Sequence, residues 1–256
     1  MTDELLVDVA DGIMTITLNR PQSRNAVTLA MAHSIAAAVD ELDLRDDLRA
    51  AVITGAGGSF CAGMDLKGFA RGEVPRLKGR GFAGLTNAPP RKPLIAAVEG
   101  HAVGGGLEIV LVCDLVVAAD DARLGLTEVR HGLVAGSGLL RLPRRVSRNI
   151  AMELALTGEL LSASRLHACG LVNRLVPAGQ ALHNAQQLAH LIAGHQPAAV
   201  LAGKRVVDES IDWPATERTE RQSAITDPVN MSPSAHAGAR AFARNHDPAA
   251  PSRSKP

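Results

Sequence analysis

The chain contains no tyrosine, one tryptophan and four phenylalanines in 256 residues. Its core must therefore be built from Ala, Val, Leu and Ile. So few rings also cannot form the stacking platforms that hold single-stranded nucleic acid. Charge is almost balanced, with a formal net of +1, so no strong field recommends DNA or an anionic membrane as a partner. The three cysteines, at 61, 113 and 169, are far apart and form no CxxC or Cys/His pairing. That pattern predicts a reduced, cytoplasmic setting and no zinc site. No apolar run reaches the roughly 18 residues of a membrane span, and Met1-Thr2-Asp3-Glu4 has no signal-peptide pattern. Motifs for several chemistries are missing as well: no Walker A sequence, no HExxH, and no Gly-x-Ser-x-Gly elbow.

Hydrophobic residues make up 46% of the chain and charged residues 21%, ordinary values for a globular protein with a substantial core. Leu5 to Ala10 and Ile13 to Leu18 read as strands of a hairpin turning at Asp11-Gly12. Thr28 can cap a helix in which Met31, Ile35, Val39 and Leu42 recur at helical spacing. Ala50 to Gly55, Leu94 to Val98 and residues 115–118 are short apolar runs of the buried-strand type. Strands alternating with helices set the class as α/β. Residues 68–92, rich in Gly, Arg, Lys and Pro, read as an irregular surface segment and a candidate lid. The basic clusters at 71–80 and 91–92 fit either a solvated surface or contact with a phosphorylated small ligand. Residues 178–194, 197–210, 214–226 and 234–245 have helical composition. We therefore expect a core over 1–195 and a helical region over 196–256, ending in a disordered tail from Pro248. No repeat of recognisable period is visible.

Three stretches carry chemistry. Gly104-Gly105-Gly106 follows a strand and opens an apolar helix, so a ligand can approach its backbone closely. The first-turn amides of that helix have no internal partners and favour developing negative charge. Ala62-Gly63-Met64-Asp65 offers a second exposed turn. Two amides meeting at one carbonyl oxygen would form an oxyanion hole, with each donor worth about 3 kcal/mol. Glu108 closes the first glycine stretch, and Glu128 closes Gly125-Leu126-Thr127-Glu128. Each has a structural reading: Glu108 at its helix N-terminus, Glu128 paired with Arg130. Taken with both glycine elements, they read as a proton-transfer pair beside a carbonyl. Gly55-Ala56-Gly57-Gly58 also follows a strand, but continues as loop rather than opening a helix, unlike a dinucleotide fingerprint. His101 and His131 lie near these stretches without a partner motif.

These residues resemble the crotonase, or enoyl-CoA hydratase/isomerase, superfamily, and within it the enoyl-CoA hydratases most. The resemblance runs through Asn19-Arg20-Pro21 and Asn25-Ala26, then Ser59-Phe60-Cys61-Ala62-Gly63-Met64-Asp65-Leu66, then Gly100-His101-Ala102-Val103-Gly104-Gly105-Gly106-Leu107-Glu108. It continues in Cys113-Asp114-Leu115, Gly125-Leu126-Thr127-Glu128 and Arg141-Leu142-Pro143-Arg144. It implies a crotonase-like spiral of ββα units closed by C-terminal helices and assembled as a homotrimer or a hexamer (a dimer of trimers). It also implies an acyl-CoA thioester substrate, with coenzyme A part of the substrate and no separate cofactor or metal. By motif position the oxyanion amides belong to Met64 and Gly105, and the catalytic carboxylates are Glu108 and Glu128. Arg24, Ala26, Ala62, Asp65, Leu66 and Lys67 would meet CoA and substrate. The implied reaction is reversible addition of water to a 2-enoyl-CoA in fatty-acid or related catabolism. The alternatives are a Δ3,Δ2-enoyl-CoA isomerase and a non-catalytic acyl-CoA-binding protein. One departure stands out: hydratases commonly read Pro-Gly-x-Gly-Gly-Thr, but here Ala135-Gly136-Ser137-Gly138-Leu139-Leu140 follows, one residue shorter. The lysine-rich C-terminal pattern that often helps to bind CoA is also absent from Ala241-Phe242-Ala243-Arg244-Asn245-His246.

Overall fold

The computed structural model describes residues 4–245 in two compact units, one up to Gly194 and one from His195. The first unit opens with β1 (Leu5–Ala10) and β2 (Ile13–Leu18), an antiparallel pair joined through Asp11-Gly12, both residues at positive φ. Helix α1 (Leu29–Leu44) follows, and the Thr28 hydroxyl accepts the Met31 N–H as its cap. Next come β3 (Ala50–Gly55), the short α2 (Leu66–Ala70), and a two-residue-per-strand hairpin, β4 (Arg76–Leu77) and β5 (Gly81–Phe82). Strands β6 (Leu94–Val98) and β7 (His101–Val103) lead into α3 (Gly105–Val112). Strands β8 (Leu115–Ala119) and β9 (Arg123–Gly125) precede α4 (Gly138–Arg145) and α5 (Arg148–Thr157). β10 (Leu161–Ser162), α6 (Ala163–Ala168), β11 (Arg174–Val176) and α7 (Ala181–Ala193) complete this unit.

Six strands form one sheet in the order β1-β2-β3-β6-β8-β11, all parallel from β2 onward. Because both faces are covered, its strands read as apolar runs rather than as alternating ones. Met14, Ile16, Ile53, Ala96 and Val116 belong to the main core. Their neighbours Ile13, Val52, Ile95 and Val117 face the other way, onto Ala185, Leu188 and Ala189 of α7. A second sheet, β10-β9-β7, takes the strands that follow β6 and β8, with β10 added at its edge. β6-β7-α3 is thus one ββα turn of the spiral, and β8-β9 begins the next. The loop after β3 joins the pattern through the bridge between Cys61 and Ala102. A repeat therefore exists that the sequence hides. Successive central strands start at residues 50, 94, 115 and 174, so no fixed period can appear.

The 68–92 segment is a mostly exposed and irregular surface over 69–79, as expected, but not over 81–86. Phe82, Ala83, Leu85 and Thr86 are buried, and Gly84, at positive φ, passes so close to α1 that an added Cβ would lie 2.4 Å from the Ala32 carbonyl oxygen. Glycine here serves close packing rather than mobility. The second unit holds α8 (Pro197–Glu209), α9 (Arg218–Asn230) and α10 (Pro233–Asn245). α9 starts four residues later than its composition suggests and runs through Pro228. The expected disordered tail lies outside the described residues. No helix among the described residues is long and apolar enough to cross a membrane.

Candidate active site

The site is assembled at the ends of two parallel strands. β7 and β9 pair in register, Val103 opposite Gly125, so the chain leaves both at one level. After β7 it enters α3 through Gly104 (φ 56), whose N–H donates to the Gly125 oxygen at 2.8 Å. After β9 it forms a 3-10 turn over Glu128–His131. Glu108 and Glu128 are twenty positions apart in the chain, yet they rise from adjacent strand ends.

The loop after β3 completes the arrangement. Cys61 N–H donates to the His101 oxygen, and Cys61 oxygen accepts the Val103 N–H, each at 2.9 Å. This seats 60–62 along β7. On the far side, Val27 N–H donates to the Gly63 oxygen at 2.8 Å, and Val27 oxygen accepts the Asp65 N–H at 3.0 Å. With its neighbours paired to Val27, Met64 N–H is turned to the opposite side of the strand. A Cβ on Gly63 (φ 90) would lie 3.0 Å from the Gly105 nitrogen, so the two backbones touch there. Neither the Met64 nor the Gly105 N–H donates a hydrogen bond among the described residues. Gly105 is the first residue of α3, where amides have no intrahelical acceptor.

The two carboxylates sit in different surroundings. Glu108 is buried, and its Oε1 accepts the Gly138 N–H at 2.7 Å. That amide is the first of α4 and is otherwise an orphan donor. The shortened 135–140 stretch therefore acts as the clamp on Glu108. Glu128 is half-buried, and its Oε2 has no hydrogen-bond partner. Burial, and next the charge of Glu108, push its carboxyl above the usual range, against a lowering backbone hydrogen bond. Its Oε1 would be 3.1 Å from a Cβ on Gly104, so only a glycine lets it reach in. The alternative structural role of Glu128, a pairing with Arg130, is absent: Glu128 enters no ion pair among the described residues.

A profile of the family described as Enoyl-CoA hydratase/isomerase matches residues 8–249. The chain belongs to this family. It is similar to a solved enoyl-CoA hydratase, EchA1 of Mycobacterium marinum, with 51% identity, a TM-score of 0.92, and coverage of 95% of this chain and 97% of that one. Mevalonyl-coenzyme A hydratase sidH of Aspergillus fumigatus is 40% identical over 92% of this chain and 90% of its own. Enoyl-CoA hydratase EchA19 of Mycobacterium tuberculosis is 36% identical over 96% and 95% respectively.

Within this enoyl-CoA hydratase/isomerase fold, the remaining expected residues lie on two adjoining strips. Ala62 N–H donates to the Arg24 oxygen at 2.9 Å, and Arg24 itself is exposed at φ 48. Ala26 is buried, its oxygen accepting Arg20 Nη1 at 2.6 Å. Leu66 and Lys67 are exposed on α2. Asp65 is engaged internally: it caps α2 through the Lys67 and Gly68 amides and pairs with Arg20 at 3.1 Å. Partial burial would raise its carboxyl, but the Gly68 amide and the Arg20 charge outweigh this and hold it below the usual range. His101 and His131 are exposed, and neither has a resolved role. Sequence reasoning missed Phe82, whose ring would lie 2.4 Å from a Cβ on Gly105, as well as Arg76 and Gly138. Their signal is purely spatial, apart from the departure at 135–140. No group of three His, Cys, Asp or Glu among the described residues is placed to hold a metal ion.

Proposed function

We propose that Met64 and Gly105 N–H groups bind the thioester oxygen of a 2-enoyl-CoA while Glu108 and Glu128 add water across its 2,3 double bond. The activity class is that of the enoyl-CoA hydratases matched above. Polarisation of the thioester makes Cβ electrophilic. Glu108, oriented by the Gly138 amide, takes a proton from water as its oxygen bonds to Cβ. Electron density moves to the thioester oxygen, and the enolate charge is met by the two amides. Glu128 then gives its proton to Cα. Its surroundings suit a proton donor: burial and the nearby Glu108 favour the neutral form. Glu108 ends protonated and Glu128 ionised, and exchange with solvent restores both. Coenzyme A enters as part of the substrate, and no other cofactor takes part in these steps.

The observation that carries the reading is the meeting of two acceptor-free amides with two differently housed carboxylates at one pair of strand ends. Lys67 and Arg24, both exposed, are the cations proposed to meet CoA phosphates. We also propose a homotrimer or a dimer of trimers working in the cytoplasm. The apolar residues Val207, Ile211 and Met231, 53–75% exposed in the single chain, fit burial between subunits. The function is tested by following loss of enoyl-thioester absorbance. Glu108→Gln and Glu128→Gln should each lower kcat by about 10²–10⁴-fold. Unchanged turnover in both variants would sink the reading. Conjugation of a 3-enoyl-CoA without uptake of solvent oxygen would replace hydration with isomerisation.

A further inference from the structure

Arg76 is the one basic side chain that the 68–92 segment brings against the proposed reacting position. It pairs across the hairpin with Phe82, so the two side chains share one face of that ribbon. Phe82 meets Gly105, and Arg76 reaches Gly136. A Cβ placed on Gly136 would lie 2.9 Å from Arg76 Nη2 and 3.3 Å from Glu108 Oε1. The guanidinium and the carboxylate thus flank the same glycine. They do not pair with each other, and the Arg76 side chain has no hydrogen-bond or ion-pair partner among the described residues. It is also exposed. The other arginines of this segment are engaged, Arg71 with Glu73, Arg80 with Asp40 and Arg91 with Asp43.

An arginine left open beside the site constrains the acyl group. A plain alkyl chain laid over it would strip water from five donors and return no hydrogen bond, a cost with no compensation. A carboxylate on the acyl chain would meet the planar fork with two parallel hydrogen bonds. Gly136 has no side chain to stand between them. We infer that Arg76 selects short enoyl thioesters whose far end carries a carboxylate, in preference to unsubstituted fatty enoyl groups. The inference rests on the hydratase reading above, since it takes the acyl group to lie between Gly105 and Glu108.

The test compares the full-length protein with Arg76→Met and Arg76→Lys, using 2-hexenoyl-CoA and 5-carboxy-2-pentenoyl-CoA, which have equal carbon counts. Wild type should favour the carboxylated thioester in kcat/KM by about tenfold or more, the worth of one charge-assisted contact. Arg76→Met should bring that ratio close to one, and Arg76→Lys should retain part of it. A wild-type preference for the alkyl thioester overturns the proposal. So does an equal loss on both substrates in Arg76→Met, which would mark a contact with CoA instead. If neither thioester is hydrated, the reading of the reaction fails by itself. The present inference is then decided by calorimetry with hexanoyl-CoA and 5-carboxypentanoyl-CoA. An Arg76-dependent preference for the second upholds it, and equal affinities overturn it.

Discussion

In the proposed hydration, Glu128 and Glu108 put one residue type to work at two ends of a reaction. Glu128 holds its proton above the ordinary carboxylate range because burial and the neighbouring Glu108 charge disfavour ionisation. Hydration that needs this proton should therefore weaken as pH rises through the raised value, seen as a falling alkaline limb in kcat that Glu128→Gln removes together with the activity. Stability follows the same sign. Below the unfolded value the group is protonated in both states and contributes no difference. Above it, the folded chain resists ionisation and loses stability until the folded value is passed. Glu128→Gln should raise Tm at neutral pH, with the gain vanishing in acid, measurable by thermal scans across pH. Gly138 makes the matching case for Glu108. A methyl there would lie 2.9 Å from Glu108 Cγ, so Gly138→Ala should displace the carboxylate. A shift of about 1 Å lowers kcat on the order of 100-fold while the far-UV spectrum stays native. Glu108 and Glu128 stood out in the sequence because each follows glycines. Gly138, thirty positions from Glu108, could be noted only as a departure.

At the scale of elements, glycines separate into those that permit contact and those that do nothing. Gly106 lies in the first turn of α3, and its added Cβ would be 2.2 Å from the Cys61 carbonyl oxygen, a backbone atom that cannot swing aside. Gly106→Ala should push α3 off the 60–62 strand and cost roughly 1–3 kcal/mol, as overpacking does. A fall in the urea midpoint would show it. Gly203, inside α8, meets nothing within 4 Å. Gly203→Ala should raise the midpoint, adding about 0.5–1 kcal/mol of stability through helix propensity and reduced unfolded-state freedom. The two substitutions are identical on paper and opposite in sign. The glycine triplet was legible as a helix start because orphan amides need a close-approach backbone. The hairpin of β4 and β5 was not, since two-residue strands carry no periodicity, and its many glycines and basic residues resemble an open loop.

For the whole molecule, the question is what covers the exposed apolar residues of the second unit. None of the residues of α8 or α9 is buried in the single chain, and the apolar Val207 in α8 and Met231 just after α9 are 75% and 72% exposed. For the proposed trimer or dimer of trimers, light scattering should give about three or six times the 26.7 kDa of one chain. The double variant Val207→Glu and Met231→Glu should lower that mass by placing charge at the proposed subunit contact. A wild-type mass of one chain would remove the assembly proposal.

The sequence alone determined the α/β class, the β1–β2 hairpin, the buried strands and the two glycine-glutamate stretches. Each of these rests on neighbours in the chain: turn residues, uninterrupted apolar runs, and a strand running into glycine. Tertiary structure alone decided that Gly138 clamps Glu108, that Glu128 Oε2 has no hydrogen-bond partner among the described residues, and that Phe82 and Arg76 lie beside the candidate site. Those contacts join residues that strand pairing and the helix ends bring together across wide sequence separations. Local periodicity carries no information about such meetings, and the surroundings of a side chain, not its identity, set its proton affinity.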